Sequence, residues 1–207
     1  MIGAQLDELE ADALAEVFNV SVADAANLLG GLMNEPVGLS VPKVELMPMD
    51  QAMLEFARLT DDRVCLVSQH CQGLFTTEAL LLFTEAGSLE MVRSLMSPHL
   101  PIDSFDDLGQ ETMAEIGNIL LNTCTGAISN LFGAELATDV PLVKVGSLQD
   151  VFAELLLNSE TLKVLFISID LQLTQRQIHG QVAYLLDVPS LDVLRHSITR
   201  VLASASP

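Results

Sequence analysis

Residues 111–118 read Glu111-Thr-Met-Ala-Glu115-Ile-Gly-Asn118 and lie inside a long helical pattern. Glu115 and Asn118 are three positions apart, so a helix places them on one side, about one turn from each other. The apolar residues around them recur at three-and-four spacing, as in a helix with one buried stripe. At about 100° per residue, the acid and the amide lie roughly 140–200° from that stripe and point outward. The stripe consists of Met113, Ile116, Leu120, Cys124, Ala127, Ile128 and Leu131.

The same arrangement occurs 99 positions earlier in the chain. There, Glu16 and Asn19 take the outward face of a second long helical pattern. Two helices are therefore expected to present one acid and one amide each. The predicted buried stripe of this first helix consists of Leu14, Val17, Val22, Ala25, Leu28, Leu29 and Leu32.

Composition describes a packed globular protein. The chain has 207 residues, of which 50% are hydrophobic and 18% charged, with no Trp. This balance is that of a chain with a substantial core rather than a disordered one. The net charge of −19 argues against nucleic acid and against anionic membrane surfaces as partners, because both carry negative charge themselves.

Several features predict a cytoplasmic protein. The first 18 residues contain five acids and neither Lys nor Arg, so they lack the basic start of a secretory signal. The longest uncharged run, 116–134, contains six Asn, Thr and Ser residues and reads as an amphipathic helix rather than a membrane span. Cys65, Cys71 and Cys124 form no metal-binding CxxC pair and are predicted to be reduced core residues.

The first half predicts a helix, a strand, a hairpin and a closing helix. The first helix is expected to end at Gly30-Gly31, and the strand to carry Pro42 at an edge or crossing point. Residues 48–58 are ambiguous between a loop and a short helix. The closing helix is expected to be capped by Ser88 and stopped by Pro98. The predicted ranges are helix 9–31, strand 37–46, extended segments 64–68 and 73–83, and helix 88–97.

The second half repeats that order, which indicates an internal duplication. Each half alone would leave its helical stripe without enough cover. We therefore predict one compact α/β domain spanning 1–207, with pseudo-repeats 9–98 and 108–202, pseudo-two-fold symmetry, and long helices packed on a shared, mainly antiparallel sheet. The predicted ranges are helix 108–132 broken by Gly133, strand 138–145 with Pro141, a short helix within 147–158, strands 163–173 and 178–186, and helix 190–202.

Both copies carry a wider motif. The first reads Asp12-x3-Glu16-x2-Asn19-x22-Pro42, and the second reads Glu111-x3-Glu115-x2-Asn118-x22-Pro141. This resembles the motif [D/S]-x3-E-x2-N-x22-P of the CheC/CheX/FliY family of chemotaxis phosphatases, and two copies over nearly the whole chain are most similar to its CheC branch. Glu111 stands where the family has Asp or Ser.

The resemblance implies dephosphorylation of a phosphorylated CheY-like response regulator in chemotaxis or two-component signalling. Asn19 and Asn118 would orient the attacking water, because a planar amide both donates and accepts hydrogen bonds. Glu16 and Glu115 would pair with a cationic group of the receiver. Asp12 and Glu111 either support these sites or only keep the surface soluble.

The resemblance also implies that this chain binds no cofactor of its own, since the receiver would supply the phosphoaspartate and Mg²⁺. No Ser-His-Asp set or phosphate-binding glycine loop is visible. His70, His99, His179 and His196 lack the spacing of metal ligands. The alternative to an enzyme is a binding module that sequesters the phosphorylated receiver or docks a CheD-type deamidase.

The two sites are expected to differ in activity. Gly117 precedes Asn118, whereas bulky Phe18 precedes Asn19. Phe18 either packs into the core or narrows the room for an approaching receiver. Weighing that crowding above the Glu111 departure, we predict that the second site carries more of the turnover.

Overall fold

The computed structural model describes residues 6–40, 42–58, 63–73, 75–96, 107–156, 162–173 and 176–205. These residues form helices and strands in an order that repeats in the two halves. In the first half, the elements are α1 (Glu8–Met33), β1 (Gly38–Leu39), β2 (Lys43–Pro48), α2 (Met49–Ala57), β3 (Arg63–Gly73), β4 (Thr76–Thr84) and α3 (Glu85–Leu95). In the second half, they are α4 (Asp107–Phe132), β5 (Leu136–Thr138), β6 (Leu142–Ser147), α5 (Leu148–Phe152), β7 (Lys163–Leu173), β8 (Arg176–Leu186) and α6 (Val188–Ala205).

Helix α1 begins with a capping box. The Asp7 carboxylate accepts from the Glu10 backbone N–H at 2.8 Å, and Glu10 accepts from the Asp7 N–H at 3.0 Å. The predicted end of the helix at Gly30-Gly31 is wrong. The helix continues to Met33, and the next residue, Asn34, takes the left-handed conformation with φ 52°. A Cβ on Gly30 would lie 3.2 Å from the Glu35 carbonyl oxygen. The glycine therefore lets the loop after α1 pass close to the helix.

The buried stripe of α1 also differs from the predicted one. Leu28 and Leu32 are 55% and 45% exposed, and Val17 is only partly buried. Phe18 and Met33 are buried instead. The contact with the sheet is therefore rotated toward Phe18, because an aromatic ring there fills more core volume than the smaller side chains beside it. The stripe predicted for α4 is buried or partly buried throughout, and Gly133, with φ 63°, ends that helix as predicted.

The strands form one eight-stranded sheet in the order β1-β7-β8-β4-β3-β5, and every pairing in the described residues is antiparallel. Strand β2 also lies along β7, and β6 along β3. The predicted strands 37–46 and 138–145 are each interrupted just before β2 and β6, where Pro42 and Pro141 lie. Since proline cannot donate to a ladder, the interruption falls where a donor is missing.

The two halves exchange their edge strands. Strand β2 of the first half pairs with β7 of the second, and β6 of the second pairs with β3 of the first. Lys43 pairs with Ser168, and the equivalent pair is Leu142 with Ser68. The central pair β4 and β8 joins the hairpins. The predicted pseudo-two-fold α/β fold on a shared antiparallel sheet is confirmed.

Side chains alternate between the two faces of the sheet. On β3, Cys65 and Val67 belong to the core under α1, α3, α4 and α6, whereas Val64 and Leu66 face α2 and α5. Phe56 of α2 anchors the smaller core, with ring centroids 5.0 Å from Phe152 and 5.2 Å from Phe166. The long helices therefore share one face of the sheet, and the short helices cover the other.

Several element ends differ from the sequence prediction. Strand β3 continues to Gly73, past the predicted end at 68, because its alternating inward residues stay buried as far as Cys71. Helix α3 begins at Glu85, and its cap is Thr84, whose hydroxyl accepts from the Gly87 N–H at 2.9 Å. Ser88 is thus inside the helix and not its cap. The ambiguous segment 48–58 contains α2, whereas the predicted stop at Pro98, the linker and residues 157–158 lie outside the described residues.

The second-half hairpin and closing helix follow the prediction closely. Strand β7 has the predicted bounds, β8 begins at Arg176 rather than 178, and α6 runs over Val188–Ala205 rather than 190–202. Residue 189 is a proline, which the first turn of a helix tolerates.

The three cysteines are free and buried, as predicted. Burial raises the pKa of the Cys65 and Cys124 thiols to about 12, so both remain protonated at neutral pH. No helix in the described ranges is both long and apolar enough to cross a membrane.

Candidate functional site

The acids and amides of both motifs lie outside the core. Glu16 is exposed and Asn19 is half-buried on α1, whereas Glu115 and Asn118 are both exposed on α4. Asp12 and Glu111 are exposed one turn earlier on the same helices. Each motif therefore presents a carboxylate and an amide that a partner protein can reach.

Helices α1 and α4 lie side by side on one face of the sheet. The pseudo-two-fold axis that relates the antiparallel strands β4 and β8 is perpendicular to the sheet, so it makes these two helices run antiparallel. Ser21 and Cys124 are both buried where the two helices meet. A groove of about 430 Å³ runs between the helices and is lined by Val17, Val20, Ser21, Asp24, Asn122, Thr123, Gly126, Ala127, Asn130 and Leu131.

The Asn118 side chain is held by its own helix. Its Oδ1 atom accepts a hydrogen bond from Asn122 Nδ2 at 2.7 Å. Asn122 Oδ1 in turn accepts from the Thr138 hydroxyl at 3.1 Å. The amide of the motif is thus the outer end of a series of side-chain hydrogen bonds that runs from Asn118 through Asn122 to Thr138 on β5.

Gln69 of β3 lies beneath this chain. The residue is 1% exposed, and its Nε2 donates to the Asp139 backbone carbonyl at 2.8 Å. The same Nε2 lies 3.5 Å from Asn118 Oδ1, a long contact. Because a backbone carbonyl only accepts, Asp139 fixes which end of the Gln69 amide faces Asn118. Asn118 consequently turns Oδ1 inward and leaves Nδ2 for the surface.

The first motif lacks this polar support. The structurally equivalent residues, located through the matching strand and helix registers, are Ala23 for Asn122, Ile169 for Gln69 and Leu39 for Thr138. None of these side chains donates or accepts a hydrogen bond. The three equivalent positions therefore offer Asn19 no side-chain hydrogen bond, whereas Asn122 and Gln69 direct donors at Asn118.

Of the two alternatives for Phe18, the structure has the one in which it packs into the core, so the crowding that ranked the second site higher is absent. Phe18 is fully buried and stacks on Tyr184, with 6.3 Å between ring centroids, so it does not reach the surface where a receiver would approach. Gly117 has a different reason to be small. A Cβ there would lie 2.5 Å from Val67 Cγ1 and 3.1 Å from Val67 Cβ, so the glycine lets α4 approach β3.

The described residues include no group of three or more His, Cys, Asp or Glu side chains suited to a metal ion. Two of the histidines pair with carboxylates across a hairpin: His70 with Glu78 at 2.5 Å, and His179 with Asp170 at 2.6 Å. His196 is exposed on α6, and His99 lies outside the described residues.

Sequence reasoning missed Gln69, Asn122 and Thr138. The spacing of four between Asn118 and Asn122 was a usable signal, because residues four apart on a helix are neighbours. The involvement of Gln69 and Thr138 had no local signal, since both reach the site from strands distant in sequence.

Comparisons with known proteins identify relatives and structural neighbours, although no protein-family model matches the chain. The sequence is 25% identical over 154 residues to the CheY-P phosphatase CheC of Bacillus subtilis strain 168, covering 72% of each chain. The Thermotoga maritima FliY structure superposes with a TM-score of 0.75 at 16% identity, covering 97% of this chain and 100% of that one. The FliM middle domain from H. pylori gives a TM-score of 0.71 at 8% identity, covering 93% and 99%. These structural likenesses show a shared fold.

The close approach at Gly117 yields a stability prediction. Gly117→Ala should destabilise the protein by about 1–3 kcal/mol, because the new methyl group meets the stiff side chain of Val67. Gly126→Ala is the matched control, since a Cβ at Gly126 meets nothing within 4 Å and the change should stabilise α4 by about 0.5–1 kcal/mol. Urea unfolding measures both. Equal stability of Gly117→Ala and wild type would contradict the packing described for α4.

Proposed function

We propose that this chain, which resembles the CheC/CheX/FliY family of chemotaxis proteins in motif, sequence and fold, removes the phosphoryl group from a phosphorylated CheY-like response regulator. The observation that carries the proposal is the Asn118 amide, exposed on α4 with its Oδ1 held by Asn122 and preceded by Glu115 one turn earlier. The 25% identity to a CheY-P phosphatase supports the same reaction.

The proposed chemistry asks little of this chain. Hydrolysis of a phosphoaspartate needs a water molecule in line with the breaking P–O bond. Asn118 would hold that water from the receiver's open side, and Asn19 would do the same at the first site. The receiver itself would supply the phosphoaspartate and a Mg²⁺ ion that neutralises the phosphoryl oxygens. A cytoplasmic location would bring the two proteins together.

Glu115 and Glu16 would position the receiver. An exposed carboxylate one helical turn from the amide can pair with a cationic side chain beside the phosphorylation site. Such a pair would set how deeply the amide enters the receiver. The net charge of −19 would also steer a receiver that presents a positive patch.

A non-catalytic binding module is the second candidate. The fold is common to FliM as well as FliY, so the fold by itself does not require catalysis. In this reading, the chain sequesters the phosphorylated receiver or docks a CheD-type deamidase. Phosphate release by substoichiometric protein separates the two candidates, since a binding module breaks no P–O bond and leaves the receiver's spontaneous phosphate release unaccelerated.

Removing the amides tests the proposed function. Loss of one positioned catalytic hydrogen bond lowers a rate by roughly a hundred- to a thousandfold. We expect Asn118→Ala to remove most of the phosphate release, Asn19→Ala a minority, and the double variant nearly all. The second site is ranked first because its amide is hydrogen-bonded in place, whereas Ala23 and Ile169 occupy the first-site positions equivalent to Asn122 and Gln69.

The measurement is phosphate release from one phosphorylated CheY-like receiver. Asn27→Ala is the control for loss of an exposed asparagine outside the motif on α1, and circular dichroism checks that each variant is folded. A larger loss in Asn19→Ala than in Asn118→Ala would reverse the ranking. Wild-type turnover by the double variant would refute the enzymatic proposal.

Binding is expected to depend on the acid rather than the amide. Glu115→Gln should weaken receiver binding and reduce its salt sensitivity, because the change removes one charge from an ion pair. Asn118→Ala should bind nearly as well as wild type. Isothermal titration against a receiver locked in a phosphorylated-like state measures both affinities. Equal affinities of wild type and Glu115→Gln would show that Glu115 pairs with no receiver cation.

A further inference from the structure

We propose that Gln69 and Asn122 are positioning residues that hold the Asn118 amide in the one orientation useful for catalysis. The inference rests on the proposed function and adds two residues outside the motif. It also makes the second site a product of both repeats, because Gln69 belongs to the hairpin of the first repeat and Asn118 to the helix of the second.

The orientation of the three amides follows from one fixed acceptor. The Asp139 carbonyl accepts a hydrogen bond from Gln69 Nε2. That nitrogen, and not Oε1, therefore faces Asn118 on α4. Asn118 must then turn its oxygen toward Gln69, and Asn122 must offer Nδ2 to the same oxygen. Asn122 Oδ1 is left to accept from the Thr138 hydroxyl, which it does. Each step leaves one arrangement in which donors meet acceptors.

The Gln69 side chain lowers the stability of the fold, so a purely structural role does not explain it. Its side chain is 1% exposed, and its Oε1 is buried without a hydrogen-bond partner among the described residues. An unpaired buried acceptor destabilises a protein. The equivalent position in the other hairpin is occupied by Ile169, which is 2% exposed and carries no such group. The fold thus accepts an aliphatic side chain at this strand position. The contact with Asn118 explains why Gln69 carries an amide instead.

The role assigned to this support is to prevent rotation of the Asn118 amide. The terminal torsion of asparagine is broad and roughly two-fold, so an unsupported amide exchanges its oxygen and nitrogen ends. A water held in line with a P–O bond needs one particular end toward it. Asn122 fixes the Asn118 oxygen at 2.7 Å, and Gln69 supplies a second donor from below.

Two variants remove the support and leave the motif intact. Gln69→Met keeps the length of the side chain but removes the donor. Its matched control is Gln181→Met. Within the described ranges, Gln181 also has a buried Oε1 without a partner, and its Nε2 donates to the Glu55 carbonyl at 3.4 Å on the α2 side of the sheet. Any effect common to both changes reports the loss of a buried amide in the sheet.

The second variant reverses the polarity of the support. Asn122→Asp keeps the acceptor for Thr138 but offers Asn118 only oxygen, so the Asn118 amide must turn its nitrogen inward. Asn130→Asp is the control for the added negative charge, because Asn130 is exposed on the same helix and lines the same groove.

Turnover of a phosphorylated CheY-like receiver is the first readout. Gln69→Met should lower kcat by about fivefold, the effect of losing roughly one hydrogen bond, and Asn122→Asp by tenfold or more. KM should stay within about twofold of wild type in both, since the binding acid Glu115 is unchanged. The two control variants should keep kcat within about twofold. Unchanged kcat in Gln69→Met and Asn122→Asp, or an equal fall in their controls, would overturn the inference.

The second readout does not depend on activity. Side-chain ¹⁵N relaxation of Asn118 Nδ2 should report a rigid amide in the wild type and in Gln181→Met, and a more mobile one in Gln69→Met. An Asn118 amide that is equally ordered in Gln69→Met and in the wild type would also refute the positioning role. A wild type that releases no phosphate would refute the proposed function itself, whatever the relaxation shows.

Discussion

The exchange of edge strands between the two halves is the constraint on which the other features depend. Strand β2 completes the second hairpin through six register pairs, and β6 completes the first through another six. Neither half can therefore close its own sheet or fully cover its own helix. The central pairing of β4 with β8 then sets a two-fold axis that brings α1 and α4 together on one face. Both motifs consequently open onto the same surface.

Within this symmetric frame, the two copies have diverged beneath their motifs. Under α1, Phe18 stacks on Tyr184, and Ile169 occupies the position of Gln69, so the first copy favours packing. Under α4, Gly117 allows a close approach to Val67, and a chain of amides supports Asn118. Apolar packing beneath the helix contributes stability. Hydrogen-bonding side chains beneath it orient the asparagine of the motif at some cost in stability. Duplication allows the first copy to contribute stability and the second copy to orient its asparagine.

The sequence was sufficient for the repeat, the two long helices and the outward acids and amides, because those features follow from helical period and a constant offset. It was insufficient where distant segments meet. Nothing local shows that β2 pairs with β7, or that Gln69 reaches Asn118 from the other repeat. The end of α1 was misplaced because Gly30 reads as a stop, although its absent side chain serves contact with the loop at Glu35. Phe18 was weighed as a surface obstacle because its angle lies near the edge of the predicted stripe.

Native-state hydrogen exchange of the intact chain tests the strand exchange most directly. If each half completes the other, the slowest amides of β3 and β7 should exchange only through global unfolding, with the same free energy of opening and the same dependence on denaturant. Leu66, paired with Lys144 of the second half, and Phe166, paired with Glu45 of the first, are the residues to compare. Opening of one hairpin at a distinctly lower free energy, while the other stays protected, would show two independent halves and contradict this account.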